Sequence, residues 1–157
     1  MIFENHNIFL AEITKMQQPY KLMAMDVGTK KIGAAVRTSN IDVVTPYRTW
    51  YRQTLKKDLA VLQQALEVEG VHGLILGLPL AQSGEANIQT KYVIEFGKAL
   101  SGRTTVPLTF YDERYTTGLA NTLLKSANLR RKKRNEVDDK FSACIILEGF
   151  AKLNGIT

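Results

Sequence analysis

The run Val71-His72-Gly73-Leu74-Ile75-Leu76-Gly77-Leu78 restricts the fold more than any other stretch. It is short, apolar and set between two helical patterns, as is a strand buried on both faces of a sheet. The pattern before it starts at a Thr54 cap and runs through Glu69. Leu55, Leu59, Leu62, Ala65, Leu66 and Val68 form its apolar stripe, and Gly70 stops it. After the run, Gly77-Leu78-Pro79 and the loop Leu80 to Gly84 lead into a second helical pattern, Asn87 to Leu100, closed by Ser101-Gly102. Val106 to Tyr111 then reads as another strand. Strand-helix-strand units require parallel pairing through right-handed crossovers.

Ahead of these units, two apolar runs flank a polar turn between Leu22 and Val36, punctuated by Gly28 and Gly33. The spacing predicts a β-hairpin with strands near 21–27 and 31–37. A third strand is expected from Ile41 to Thr49, with Pro46 favouring an edge or irregular position. Beyond the last strand, Thr116 to Ala127 reads as a helix, followed by a basic loop and a final helix over Val137 to Leu153. The expected class is α/β, a mixed five-stranded sheet with helices on both faces. Residues 1–18 are expected as a detachable, partly disordered extension closed by Pro19, with one domain over 19–157.

Composition narrows the setting. Hydrophobic residues at 45% and charged residues at 23% are ordinary for a globular domain, and 157 residues suffice for a sizeable core. A net charge of +6 favours an anionic partner such as nucleic acid. The single cysteine, Cys144, excludes an intrachain disulfide and a cysteine-rich zinc site. His6 and His72 lack ligand spacing. No apolar run approaches the roughly twenty residues of a transmembrane helix, and the first residues have no basic segment typical of a signal peptide. A cytoplasmic protein without membrane attachment is the expectation.

Acidic residues fall at three places where elements end or begin. Asp26 lies near the end of the first hairpin strand, Asp112-Glu113 follows the last strand, and Asp138-Asp139 opens the expected final helix. In parallel α/β sheets, ligands collect beyond the carboxyl ends of strands. Carboxylates that converge there repel one another unless a cation neutralises them. Oxygen ligands without His or Cys favour Mg2+ or Mn2+. Taken singly, each acid also has a structural reading: Asp26 as a turn cap, Glu113 as a partner of Arg114, and Asp138 or Asp139 as a helix N-cap.

The run Arg130-Arg131-Lys132-Lys133-Arg134 places five cations in sequence just before Asp138. Two readings remain open, a solvated loop or a strip that neutralises phosphates. No element for reading bases is evident, so contact through backbone or shape is the expectation. Gly77-Leu78-Pro79 with Gly84 is either a plain connection or a loop that lets a nucleic-acid backbone approach closely.

Four motifs then resemble one family. Asp26-Val27-Gly28-Thr29-Lys30-Lys31-Ile32-Gly33, Gly77-Leu78-Pro79 with Gly84, Asp112-Glu113-Arg114-Tyr115-Thr116-Thr117, and Asp139 through Ser142-Ala143 to Ile145-Ile146-Leu147-Glu148 resemble the YqgF or RuvX-like family. Its members carry the names Holliday junction resolvase and pre-16S rRNA nuclease. The resemblance spans about Lys21 to Leu153 and implies an RNase H-like fold. It implies that Asp26, Glu113 and Asp139 form a catalytic, metal-binding triad, and that Lys30 and Arg114 correspond to the family's basic positions. With Arg130, Arg131, Lys132, Lys133 and Arg134, these two form the expected nucleic-acid-binding set. The implied activity is Mg2+- or Mn2+-dependent phosphodiester hydrolysis in maturation of precursor 16S rRNA, with pre-ribosomal particles as partners. Lys140-Phe141, where the family more often has small residues, and the arm at 1–18 are departures from its pattern.

Two alternatives accompany this expectation. One is a Holliday junction resolvase acting on branched DNA, which needs two active sites and for which a homodimer is expected, whereas an RNA nuclease can be a monomer or a homodimer. The other is a nucleic-acid-binding protein without catalysis.

Overall fold

The computed structural model describes residues 1–115 and 131–156, with side chains over 1–114 and 141–156. In chain order, β1 (Ile2–Phe3) and α1 (His6–Met16) precede the hairpin strands β2 (Lys21–Val27) and β3 (Lys31–Thr38). Then come β4 (Thr45–Tyr51), α2 (Leu55–Glu69), β5 (Gly73–Leu78), α3 (Ile88–Ser101), β6 (Leu108–Asp112), a 3-10 turn Glu113–Tyr115 and α4 (Arg131–Leu153).

The helices start where their caps are placed. The Thr54 side chain accepts from Lys57 N at 3.2 Å, and Asn87 accepts from Thr90 N at 2.9 Å while Thr90 answers in a capping box. α2 closes on Gly70 in the left-handed region at φ 64°.

The sheet has strand order β1-β6-β5-β2-β3-β4. β1, β6, β5 and β2 pair in parallel, and β3 is antiparallel to both β2 and β4. Alternation along the strands divides the core in two. Met23, Met25 and Val27 of β2 join Leu74 and Leu76 of β5 against Leu59, Leu62 and Leu66 of α2 and Val93, Phe96 and Leu100 of α3. On the other face Leu22, Ala24, Ile75 and Tyr111 meet Phe9 and Ile13 of α1 and Ala143, Ile146, Leu147 and Phe150 of α4. From β2 to β6 the order of elements, and the helices on both faces of the sheet, agree with the sequence reading.

Three expectations are corrected. The sheet has six strands rather than five, because the N-terminal segment supplies β1, with Ile2 and Phe3 paired to Leu108 and Thr109. That segment is not a disordered arm. Asn5 caps α1 by accepting from Ile8 N, and Phe9 and Ile13, one helical turn apart, are both fully buried. They lie over Gly73 of β5, where a Cβ would stand 2.9 Å from Phe9 Cζ and 2.8 Å from Leu22 Cδ2, so a glycine there gives the helix its seat. Finally, α4 is already helical at Arg131, ahead of Val137. Arg131 to Arg134 are therefore helical instead of a loop, and Asp138 and Asp139 lie within the helix, not at an N-cap. Lys and Arg are good helix formers, so a cationic run does not by itself stop a helix.

β4 runs from Thr45 to Tyr51 and is an edge strand. Its register against β3 shifts between Ala34 and Ala35, opposite Arg48 and Pro46, where a proline without an N–H is tolerated. The expected helix at 116–127 and the cation Arg130 lie outside the described residues.

Candidate functional site

The carboxyl ends of β2, β5 and β6 lie side by side. Asp26 is the penultimate residue of β2 and stands opposite Gly33 of β3. Because Leu22 and Ala24 face α4, period-two alternation turns Asp26 to the same face. Gly77 of β5 pairs with Tyr111 of β6, and Leu78 with Asp112, after which the chain tightens into the 3-10 turn that starts at Glu113.

Gly77 makes room for Glu113. A Cβ built there would stand 2.8 Å from Glu113 Cδ and 2.5 Å from Ile146 Cδ1, inside van der Waals contact. The Glu113 carboxyl thus lies over the β5 backbone, on the face where α4 packs. Burial pushes its pKa up to about 8, and the nearby charges of Asp26 and then Asp112 add to the rise. Asp26 and Glu113 are therefore close enough to disfavour each other's charge. Asp112 behaves differently. Burial opposes its ionisation, but hydrogen bonds and charge from Arg114 outweigh that and hold it below its ordinary value.

Arg114 grips Asp112 with Nε at 2.8 Å and Nη2 at 2.6 Å from Oδ2, and its Nη1 donates to the Gln82 carbonyl at 3.2 Å. It thereby fastens the loop after β5 to the end of β6. Within that loop Gly84 N donates to Ala81 O at 2.8 Å, and a Cβ on Gly84, at φ 89°, would come within 3.0 Å of Arg114 Nη1. Lys30 is exposed at the tip of the β2–β3 turn, just beyond Asp26.

Of the residues expected to form the site, the structure brings Asp26 and Glu113 together, with Arg114 beside them and Lys30 at the adjacent tip. The α4 backbone carries Asp139, Arg131, Lys132, Lys133 and Arg134, but their side chains, like the whole of Arg130, lie outside the described residues. Among the described residues no group of three potential metal ligands occurs. The donor set nevertheless suits a hard divalent cation. Burial and the adjoining charges of Asp26 and Asp112 raise the cost of ionising Glu113, a cost that such an ion would lower. Softer ligands are engaged elsewhere: His6 Nε2 contacts Phe110 O at 2.8 Å, and His72 Nδ1 accepts from Lys21 N at 2.9 Å. Burial, and secondarily Glu148, pushes the Cys144 thiol up to about 11.

Sequence reasoning named Gly77 and Asp112 without finding what they do, and it missed Arg52. Gly77 acts through shape, which has no sequence signal beyond the glycine itself. Asp112 serves Arg114. Arg52, just past β4, donates to Gly28 O beside Asp26; a signal lay in Asp58, an acid in the first turn of α2.

The family model for RuvX, described as Holliday junction resolvase, matches residues 20–152. The chain is 33% identical over 148 residues to a protein of Ehrlichia chaffeensis named "Putative pre-16S rRNA nuclease", covering 94% of this chain and 93% of that one. It is 36% identical over 143 residues to one of the same name from Rickettsia rickettsii, covering 87% and 93%. Thermus thermophilus RuvC in complex with a Holliday junction superposes with a TM-score of 0.55 at 12% identity, over 87% of this chain and 96% of that chain. At that identity the likeness shows the fold alone, which is RNase H-like.

Proposed function

We propose, from the premise that this chain belongs to the RuvX family, that it is a divalent-metal-dependent nuclease acting on precursor 16S rRNA. The observation that carries the reading is the meeting of Asp26 and Glu113 at the carboxyl edge of the sheet, each raising the cost of the other's charge. The relatives' names favour the RNA substrate.

Asp26 and Glu113 would hold Mg2+ or Mn2+, with Asp139 of α4 as the third ligand. Asp139 precedes Ile146, whose Cδ1 reaches the Gly77 position, by two helical turns. A bound ion of this kind orients the phosphodiester, acidifies water and stabilises the leaving oxygen. The chain's own residues do the rest. Glu113 would hold the cation in its ionised form, which the cation's charge would favour. Lys30 meets substrate phosphate at the hairpin tip, and Arg114 fixes the loop at 79–87 that borders the site. Arg130 to Arg134 neutralise further phosphates, so binding weakens steeply with salt.

Among the described residues no helix is long and apolar enough to cross a membrane; cytoplasmic work on pre-ribosomal particles fits the reading. The second reading, a Holliday junction resolvase, is favoured by the family description, and it would call for a homodimer, since two strands must be cut. The deciding experiment incubates the full chain with precursor 16S rRNA or a four-way DNA junction, in Mg2+ or Mn2+ against EDTA. Asp26→Asn runs beside the wild type. Metal-dependent RNA cleavage lost in the variant is expected. Cleavage of junctions but not RNA would favour the resolvase. Binding without product in either metal would leave a non-catalytic nucleic-acid-binding protein.

A further inference from the structure

Arg52 is a cation taken almost out of water, its side chain 12% exposed beside Asp58 at 8%. Its Nε donates to Asp58 Oδ2 at 2.8 Å, and Nη1 donates to the Gly28 carbonyl at 2.9 Å and to the Tyr92 hydroxyl. The guanidinium lies over the rings of Phe96, at 5.0 Å, and Tyr92, at 5.6 Å. Its backbone N–H donates to Lys30 O at 2.8 Å, and Gln53 N donates to the second Asp58 oxygen at 3.0 Å. One residue thus ties α2, α3 and the end of β4 to two carbonyls of the β2–β3 turn.

Desolvating an ion pair offsets most of its attraction, so such a pair adds little net stability over apolar packing. What a guanidinium provides is direction, several donors fixed in one plane. Here they converge on a turn that begins with Gly28, closes through Gly28 N to Lys31 O at 2.9 Å, and exposes Thr29 and Lys30. Left to itself, a glycine-led exposed turn samples many conformations.

We infer that Arg52 is a positioning residue that holds the Gly28–Lys30 turn in the one conformation from which Lys30 meets a substrate phosphate. The inference rests on the reading of Lys30 as a phosphate contact. Arg52→Lys keeps the charge beside Asp58, yet an ammonium cannot span Asp58, Tyr92 and Gly28 in the same geometry. The turn then loosens, and the Lys30 contact is lost without removal of Lys30.

The test is a double-mutant cycle on the full chain. Wild type, Arg52→Lys, Lys30→Ala and the double variant are titrated with a labelled precursor 16S rRNA fragment in EDTA, across a salt series, with thermal melts alongside. Each single variant should raise Kd by roughly fivefold to tenfold and reduce the salt slope by about 0.7 to 0.9, the share of one phosphate contact. The double variant should bind no more weakly than Lys30→Ala. Tyr92→Phe, which removes one acceptor and keeps the ring, should give a smaller rise in Kd that also vanishes in the Lys30→Ala background, and it serves if Arg52→Lys fails to fold. Additive losses, or an unchanged salt slope in Arg52→Lys, would overturn the inference while the Lys30 reading stands. Lys30→Ala binding like wild type would remove the Lys30 reading, and the inference with it.

Discussion

Gly77→Ala tests the candidate site by a single methyl group. The new Cβ would stand 2.8 Å from Glu113 Cδ and 2.5 Å from Ile146 Cδ1, whereas carbon atoms rest at about 3.5 to 4.0 Å. The Glu113 carboxyl must therefore retreat by at least about 0.7 Å, and Ile146 by about 1 Å, to reach that contact. Overpacking of this kind costs about 1–3 kcal/mol of stability. A misplacement near 1 Å at a reacting centre costs about a hundredfold in rate. The expected result is a folded protein with a modestly lower Tm and cleavage of precursor 16S rRNA reduced by about two orders of magnitude. Ile146→Val added to Gly77→Ala removes Cδ1 and with it one of the two clashes. The double variant should regain much of the Tm and little of the activity, because Glu113 remains displaced. Full activity in Gly77→Ala would refute the placement of Glu113 in the chemistry. Full recovery in the double variant would show that the damage travels through α4 and not through the carboxylate.

Two further outcomes follow from burial. In EDTA, Glu113 keeps its proton up to about pH 8 when folded but releases it near 4.5 when unfolded. The native state then binds the extra proton across that window, so stability falls as pH rises from about 4.5 to 8. Calorimetry across this range should show the decline in wild type and a flatter profile in Glu113→Gln; saturating Mn2+ should also flatten it, since a cation favours the ionised form. At the other end of the fold, Phe9→Ala removes a ring that is fully buried and packed edge-on against Phe150. A loss of about 3–5 kcal/mol is expected in denaturant unfolding, whereas a detached arm would give almost none.

What was legible in the sequence was local in origin. β2, β3, α2 and α3 follow from periods of two and 3.6 residues with caps at Thr54, Gly70 and Asn87, all written within a few positions of one another. The approach of Asp26 to Glu113 was also legible, because strand-helix-strand units bring the carboxyl ends of their strands to one edge. The N-terminal segment was not. Phe9 and Ile13 look like a weak stripe until Gly73, far along the chain, provides the space they fill. The helical state of Arg131 to Arg134 was obscured by composition, since a run of cations reads as solvated loop although each residue favours a helix.

This last difference bears on how the site is assembled. With α4 continuous from Arg131 to Leu153, the cationic stretch, Asp139 and Ile146 belong to one helix rather than to a loop and a helix joined at a cap. The contact of Ile146 with Gly77 and the burial of Phe150 fix that helix against the sheet at its far end. An acid two turns before Ile146 then takes its register from packing in the core, and the cations two turns earlier take theirs from the same source. On the proposed function, substrate grip and metal ligation on α4 would be linked through a single set of buried apolar contacts, and the packing of α4 on β5 would then be part of the chemistry and not merely of the fold.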